Sequence, residues 1–309
     1  MSRTPLTAKT AVTLACNLGK VVPRLGLSEE DGAYWNGHLD ELHERVQGVL
    51  SRGSWLDQLI AADEAAWQRF TGQKFDFSPC REIIEKFGVD RARDLDRFGP
   101  EVHCWPKVSF AQDSKYRGQR IKLEPWFWQQ LAAGKILRCN SQGEFEVVKE
   151  VVYELCVLVV DTRLKPSYNG GKQMFADDEG FMGEMVESLR CKGRIEPYSP
   201  SRSRFNISSR EWDDAVRPAL SARAEFTGIT WGLEDPIRMN VIPQLWRHMP
   251  RKNDGKTDVW VWLGWFFAGA SHRLCGGGSA RGGLADVSYY DVGNHWSYRT
   301  VRPLGVLDA

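Results

Sequence analysis

The stretch Asp258–Leu304 reads DVWVWLGWFFAGASHRLCGGGSARGGLADVSYYDVGNHWSYRTVRPL. Short runs rich in Val, Trp and Tyr alternate there with glycines at 276–278 and 282–283. Val, Trp and Tyr favour a pleated, half-buried surface, and glycine permits the positive-φ turns by which strands reverse direction. The stretch therefore predicts a compact, irregular antiparallel β unit, around which we interpret the rest of the chain.

The polar residues of this stretch are a restricted set. The whole chain contains 14 Lys, 20 Glu, 11 Gln and 6 Met, yet none of them lies between Leu263 and Pro303. Tyr, Ser, His, Arg, Asp, Asn and Gly fill the polar positions instead, which is typical of antibody-like binding surfaces. The alternative is a glycine-rich β unit that lacks the four residue types by chance.

The totals describe a globular protein. A chain of 309 residues is long enough for two domains, and 26% charged residues with a formal net charge of +1 argue against a general polyanion binder. The seven cysteines are odd in number and scattered, without a CxxC pair, which is typical of thiols in a reducing cytosol. We therefore expect a cytoplasmic protein, with no signal peptide, transmembrane segment or membrane partner.

We predict the α+β class, with residues 1–148 forming a mostly helical N-terminal domain of unknown role. Within it, apolar spacing and capping residues predict helices over 28–50, 54–70, 78–88 and 125–134. The segment 106–120 has few helix signals and is interpreted as a loop.

Residues 149–309 are predicted to form the second domain. The apolar run over 150–162 predicts one long buried strand, and a helix is expected over 179–191. Ser208 and Glu211 have the spacing of a capping box, which opens a helix that Pro218 kinks or ends. Met239–Leu245 is expected to be a strand or a short helical turn.

Period-2 alternation predicts which side chains face outward. In the run 284–290 it directs Ala285, Val287 and Tyr289 to the core, and Asp286, Ser288 and Tyr290 to the surface. The Val259–Trp262 strand is apolar on both sides, so we expect both of its faces to be covered. The last strand is expected to direct Val301 inward and to present 298–300 at the rim.

Several separated motifs follow one another along the chain. They are Asp161–Pro166, Gly171–Met174, Asn240–Leu245, Met249–Gly255, Trp260–Trp262, Arg273–Leu274, Gly282–Ala285 and Val301–Leu304. In this order they resemble the C-terminal domain of diversity-generating retroelement variable proteins. That family has a C-type-lectin fold related to formylglycine-generating enzymes, so the resemblance implies a C-type-lectin-like domain over 149–309.

The resemblance also implies how the surface at 258–304 is written. In that family a reverse transcriptase copies a template repeat with errors at adenines, so asparagine codons become Tyr, Ser, His, Arg, Asp, Gly, Cys or Ala, but not Lys, Glu, Gln, Met or Trp. Trp260, Trp262 and Trp296 are then fixed scaffold. The candidate varied, ligand-binding residues are His272, Cys275, Ala280, Arg281, Asp286, Ser288, Tyr290, Asp291, His295, Ser297, Tyr298 and Arg299.

An enzymatic alternative has little support in these residues. The oxidase among the fold relatives binds copper through two cysteines near a Ser–Tyr pair, whereas Asn294–Arg299 contains no cysteine and Cys275 is the only one after Cys191. Neither His272 nor His295 has a second ligand at i+2 or i+4, and no nucleophile lies in a recognisable turn. Calcium binding through Asp286 or Asp291 is a weaker alternative, because hard-cation sites need more clustered carboxylates.

We therefore predict a non-enzymatic protein without cofactor or metal. It is expected to bind a macromolecular ligand, and a protein is the first candidate for that ligand. Two alternatives stay open. The basic stretch Arg190–Arg210 could contact nucleic acid, although a solvated charged face is the commoner outcome. A structural role in a phage particle or another assembly is the second alternative.

Overall fold

The computed structural model describes residues 54–112, 115–116, 119–120, 125–140, 142–161, 181–246, 260–277 and 286–308. The predicted helix over 28–50 lies outside these residues. From Trp55 onward the described chain forms one compact unit. Both helices and antiparallel sheets are present, so the predicted α+β class is confirmed.

Most of the described helices lie where caps and apolar spacing predict them, but the helix at Val89–Asp94 was not predicted and the one at Pro236–Leu245 is longer than the short turn expected there. They are α1 (Trp55–Thr71), α2 (Ser78–Phe87), α3 (Val89–Asp94), α4 (Pro125–Ala132), α5 (Gly183–Cys191), the composite α6 (Ser209–Glu211, Trp212–Val216 and Arg217–Ser221) and α7 (Pro236–Leu245). Short 3₁₀ turns cover Leu95–Phe98 and Ala224–Phe226.

Local signals explain the helix ends. Pro79 occupies the first turn of α2, and Gly88 ends that helix with φ 106°. The capping box is present at α6, where the Ser208 side chain accepts from the Glu211 backbone N–H and Glu211 bonds back to Ser208. The next turn of α6 is π-helical, and the chain leaves the helix soon after Pro218.

The strands are mostly short. They are β1 (Pro100–Trp105), β2 (Val108–Phe110), β3 (Lys115–Tyr116), β4 (Gln119–Arg120), β5 (Ile136–Cys139), β6 (Phe145–Val147), β7 (Val151–Tyr153), β8 (Cys156–Asp161), β9 (Ile229–Leu233), β10 (Trp260–Phe267), β11 (His272–Gly277), β12 (Asp286–Asp291), β13 (Arg299–Val301) and β14 (Pro303–Leu307).

Two larger sheets organise this unit. In the first, the strands follow the order β1-β8-β14-β9, and all neighbours are antiparallel. In the second, the order is β12-β11-β10-β5-β6, with β13 parallel to β10. The two sheets meet where the Gly264 N–H of β10 donates to the Glu234 carbonyl, which follows β9, at 2.8 Å.

The predicted domain boundary at residue 148 is wrong for the described residues. β1 precedes this point and pairs with β8, which follows it, and β5 likewise pairs with β10. Each larger sheet therefore draws strands from both sides of the boundary. The sheets could not be built by two separate domains.

Two local predictions are also corrected. The predicted long strand over 150–162 is two strands, because β7 pairs with β2 whereas β8 pairs with β1 and β14. β2 itself lies in the segment 106–120 that was interpreted as a loop. The segment Met239–Leu245 belongs to α7, which begins at the N-cap Asp235.

A buried polar network joins α1, β1 and the end of α7. The carboxylate of Asp63 accepts from the Cys104 backbone N–H at 2.6 Å and from Trp246 Nε1 at 2.9 Å, and its Oδ1 lies 3.0 Å from His103 Nδ1. Burial disfavours the charged imidazolium, but the attraction and hydrogen bond of Asp63, together with Glu101, outweigh burial and raise the pKa of His103 to about 9.

This network predicts a pH-dependent stability. A pKa raised above the unfolded value stabilises the fold at pH below about 6.5, and that stabilisation is lost as the pH rises through about 9. We expect His103→Gln to flatten the decline of the unfolding free energy across this range, measured by urea titration. Buried thiols also make the unfolding free energy depend on pH, but they contribute equally in both proteins. An unchanged slope of the unfolding free energy against pH in the variant therefore contradicts the assignment.

In the part of the chain that the structure describes, no helix combines the length and apolar character needed to cross a membrane.

Candidate ligand-binding surface

Three aromatic side chains from the end of β12 and the turn that follows it lie together. The ring centroids of Tyr290 and Trp296 are 6.0 Å apart, and those of Trp296 and Tyr298 are 5.4 Å apart. Trp296 is 36% exposed and Tyr298 is 37% exposed, whereas Tyr290 is half-buried. We call these three residues the aromatic patch.

Arg299 lies directly beneath the aromatic patch. Its Cζ is 4.0 Å from the centroid of the Tyr290 ring, 4.5 Å from that of Trp262 and 5.3 Å from that of Trp296. Such distances are typical of cation–π contacts. The side chain is 1% exposed, and its burial lowers the pKa of the guanidinium from its ordinary value.

The turn that carries the patch is fixed mainly by its own backbone. The Gly293 N–H donates to Asp291 Oδ1 at 2.8 Å, and the Arg299 N–H donates to the Trp296 carbonyl at 3.1 Å. The Trp260 N–H of β10 donates to the Tyr298 carbonyl at 3.2 Å. The patch therefore stands on a well-bonded frame, as a preorganised binding surface requires.

A second segment supports the same turn from outside the predicted surface. His295 Nε2 lies 2.9 Å from Glu211 Oε2, and the Tyr198 hydroxyl donates to the Ser297 carbonyl at 3.0 Å. The Arg210 N–H donates to the Val292 carbonyl at 2.9 Å. Sequence reasoning missed this support, because only the capping-box role of Glu211 is visible in local spacing.

Cys275 and Arg299 do not lie on the surface, and this corrects their predicted place in it. Cys275 is fully buried opposite Ser288, and burial raises the pKa of its thiol to about 12, so it stays protonated at neutral pH. Arg299 and Thr300 are buried as well, so the predicted rim over 298–300 is reduced to Tyr298. Val301 points inward as predicted.

The other described candidates divide between the two faces of the sheet. Ser288 and Tyr290 share one face, whereas His272 pairs with Asp291 on the other. The exposed candidates are Asp291, His295, Ser297 and Tyr298, and the half-buried ones are His272, Ser288 and Tyr290. Only Tyr290 and Tyr298 of this set join the aromatic patch.

Tyr289 was predicted to line the core, yet it is 39% exposed. Its neighbour Val287 is buried on the same face, as predicted. At the end of the strand, Tyr289 stacks on Phe267 with centroids 4.1 Å apart and lies 5.7 Å from Trp126. The inward alternation therefore holds for Val287 and fails for Tyr289, although Tyr289 contacts both rings.

The side chains of three candidates, Ala280, Arg281 and Asp286, are not described. Ala280 and Arg281 lie outside the described residues, and so does Ala285, which was predicted to face the core. The backbone of Asp286 pairs with Gly277 in the sheet, but its side chain is outside the described part. The motifs at 162–166, 171–174 and 249–255 also lie outside it.

A separate cleft of about 710 Å³ lies between β6, α6 and β10. Five arginines and five carboxylates line it, so its charge favours neither anions nor cations. They are Arg138, Arg210, Arg217, Arg238, Arg273, Glu150, Glu154, Asp213, Asp214 and Asp235. Several are already paired, for example Arg273 with Asp213 at 2.8 Å.

Arg190 and Arg204, two of the six cations in the basic stretch Arg190–Arg210, are buried inside the fold. Arg190 is buried and donates to the carbonyls of Glu196, Ser201, Ser203 and Phe205. Arg204 forms a fully buried ion pair with Asp161 at 2.8 Å. These two cations cannot contact phosphates, whereas Lys192, Arg194 and Arg210 are exposed, so the nucleic-acid alternative stays a prediction.

Among the described residues, no group of three or more His, Cys, Asp or Glu side chains is arranged to hold a metal ion. Comparison of the chain with family models, curated proteins and solved structures gives no match.

Proposed function

We propose that the chain is a non-enzymatic binding protein that binds a macromolecular ligand on the surface around the aromatic patch. A protein is the first candidate for that ligand. The observation that supports this is the patch itself, in which two exposed aromatic rings stand over a bonded turn. Tyrosine and tryptophan bury large areas at low conformational cost, so they contribute most of the energy in such contacts.

We further propose that this surface belongs to a C-type-lectin-like domain and is diversified from a template repeat. Two features support the proposal: the absence of Lys, Glu, Gln and Met between Leu263 and Pro303, and the exposure of Ser297 and Tyr298 beside the buried scaffold residue Trp262. Varied residues on an exposed turn can change without disturbing the core beneath them.

A genomic comparison tests the diversification. We expect a near-duplicate of the 3′ end of the gene beside a reverse-transcriptase gene, with adenines where the codons of Ser288, Tyr290, Ser297 and Tyr298 vary between isolates. The Trp260 and Trp262 codons should not vary. An invariant Tyr298 codon, or variation at Trp262, contradicts the proposal.

A substitution tests whether the patch is surface and not core. We expect Tyr298→Ala to change the free energy of unfolding by less than about 0.5 kcal/mol, as is usual for exposed positions. The matched control is Trp262→Ala, whose ring is buried and donates from Nε1 to the Ile207 carbonyl at 2.9 Å. We expect this control to cost about 3–5 kcal/mol. Similar losses in both variants, measured by urea titration, contradict the surface assignment.

Ligand binding is then tested by display. Libraries randomised at Ser288, Tyr290, Ser297 and Tyr298 should yield folded variants that bind an arbitrary test protein, whereas libraries randomised at Trp260 and Trp262 should not fold. If the first libraries fold but never yield a binder, a structural role in an assembly becomes the better hypothesis.

A further inference from the structure

Arg299 differs from the buried Arg204 and Arg273 in having no carboxylate partner. Arg204 and Arg273 each lie 2.8 Å from an aspartate oxygen. In contrast, no Asp or Glu of the described residues interacts with Arg299, whose guanidinium bonds to Tyr290 while its Nε and Nη1 have no hydrogen-bond acceptor. Burial of a charge without a counter-ion costs free energy, so we interpret this guanidinium as a site for a ligand of opposite charge.

The Arg299 guanidinium, with two nitrogens that have no acceptor, lies just below the surface. Trp296 lies over it at 5.3 Å and is itself 36% exposed. Because the Trp296 ring separates Arg299 from solvent on this side, a displacement of that one side chain brings the cation to an incoming group. The position coincides with the aromatic patch, where we place the ligand.

We propose that Arg299 anchors a carboxylate of the ligand, which enters beneath Trp296. The inference rests on the proposed binding function and names the chemistry that this surface selects. The carboxylate accepts from the guanidinium once Trp296 is displaced, while the rings of Trp262 and Tyr290 exclude water around the pair. Charge-assisted hydrogen bonds in such surroundings are stronger than in bulk water.

Charge balance favours a carboxylate over a phosphate. Every cation–π contact of the rings of Trp262, Tyr290 and Trp296 in the described chain is made by Arg299, so the cation held among these rings carries one positive charge. A carboxylate carries one negative charge and neutralises it. A phosphomonoester carries about 1.5 to 2 negative charges at neutral pH, and the excess would be buried among aromatic rings.

The experiment follows the Nε–H signals of the arginines by nitrogen-15 NMR while the whole protein is titrated with acetate. We expect one protected Nε–H resonance to move downfield and to saturate at millimolar acetate, and chloride at matched ionic strength to leave it in place. The resonance should be missing in Arg299→Gln and present in Arg194→Gln, in which an exposed arginine is removed.

Trp296→Ala provides a second test that keeps the cation. Removal of the covering ring should lower the acetate concentration at half-saturation by about threefold or more, so the proposal stays testable if Arg299→Gln does not fold. No saturable shift in the wild-type protein or in Trp296→Ala overturns the proposal. Saturation by phosphate and not by acetate overturns the choice of a carboxylate.

The outcome can be separated from that of the proposed function. If acetate binds at Arg299 but the display libraries yield no binder, the anion site stands and the macromolecular ligand does not. If the libraries yield binders and acetate has no effect, the binding surface stands and Arg299 is a structural residue held by its rings.

Discussion

We expect Arg204→Met to lower the free energy of unfolding by about 3–5 kcal/mol, because it removes the cation from a fully buried ion pair. Arg204 and Asp161 are both 0% exposed, and their side chains are 2.8 Å apart. Methionine fills a similar volume, so the expected loss comes mainly from the buried charge of Asp161 and not from a cavity.

The control for this prediction lies two residues away. Arg202 pairs with Glu187 at 3.0 Å, but both side chains are substantially exposed, so Arg202→Met should cost no more than about 1 kcal/mol. Urea titrations of both variants give the comparison. Equal losses would show that the Arg204 pair gains nothing from its burial.

We expect Gly264→Ala to destabilise the fold by about 2–3 kcal/mol, since a methyl group at this position overpacks the junction of the two larger sheets. A Cβ built on Gly264 lies 2.8 Å from the Leu233 carbonyl oxygen, which is backbone and cannot rotate away. The hydrogen bond from the Gly264 N–H to Glu234 lies at the same junction and would be stretched.

Gly232→Ala is the matched control, because it places the same change in the neighbouring strand. A Cβ at Gly232 finds its nearest neighbour, the Leu304 carbonyl, at 4.0 Å. The substitution should therefore be neutral or slightly stabilising through the unfolded state. Thermal unfolding of the two variants separates steric overlap from a general effect of losing a strand glycine.

Features set by neighbouring residues could be predicted from the sequence. The start of α2 at Ser78 and the capping box at Ser208 depend on contacts within one helical turn, and both are confirmed. The covered faces of β10 follow from its continuous apolar run, and Val261 and Trp262, on opposite faces, are buried as expected.

Features set by distant pairing could not be predicted in the same way. The boundary at 148 failed because β1 and β5 pair with strands that follow it, and no local signal encodes a partner more than fifty residues away. The run over 150–162 concealed a change of partner, since β7 and β8 are equally apolar but belong to different sheets.

Composition identified the stretch of sequence that carries the aromatic patch. It did not predict which residues of that stretch are buried. Arg299 was assigned to the surface as a candidate varied residue at the rim of the last strand, whereas its contacts with three rings stabilise it below the surface. A buried arginine of this kind can be found only when the strands are assembled.

Because β14 follows the candidate varied residues in the chain, the fold depends on an unchanged reading frame through them. This strand lies between β8 and β9 and holds both through backbone hydrogen bonds, yet it is encoded downstream of the stretch that carries the candidate varied residues. If the surface is diversified as we propose, a copying error that substitutes codons leaves β14 intact, whereas an insertion or deletion that shifts the frame replaces it with an unrelated sequence. Products of such frameshifts would lack an interior strand of the four-stranded sheet, so we expect them not to fold and not to display an altered surface.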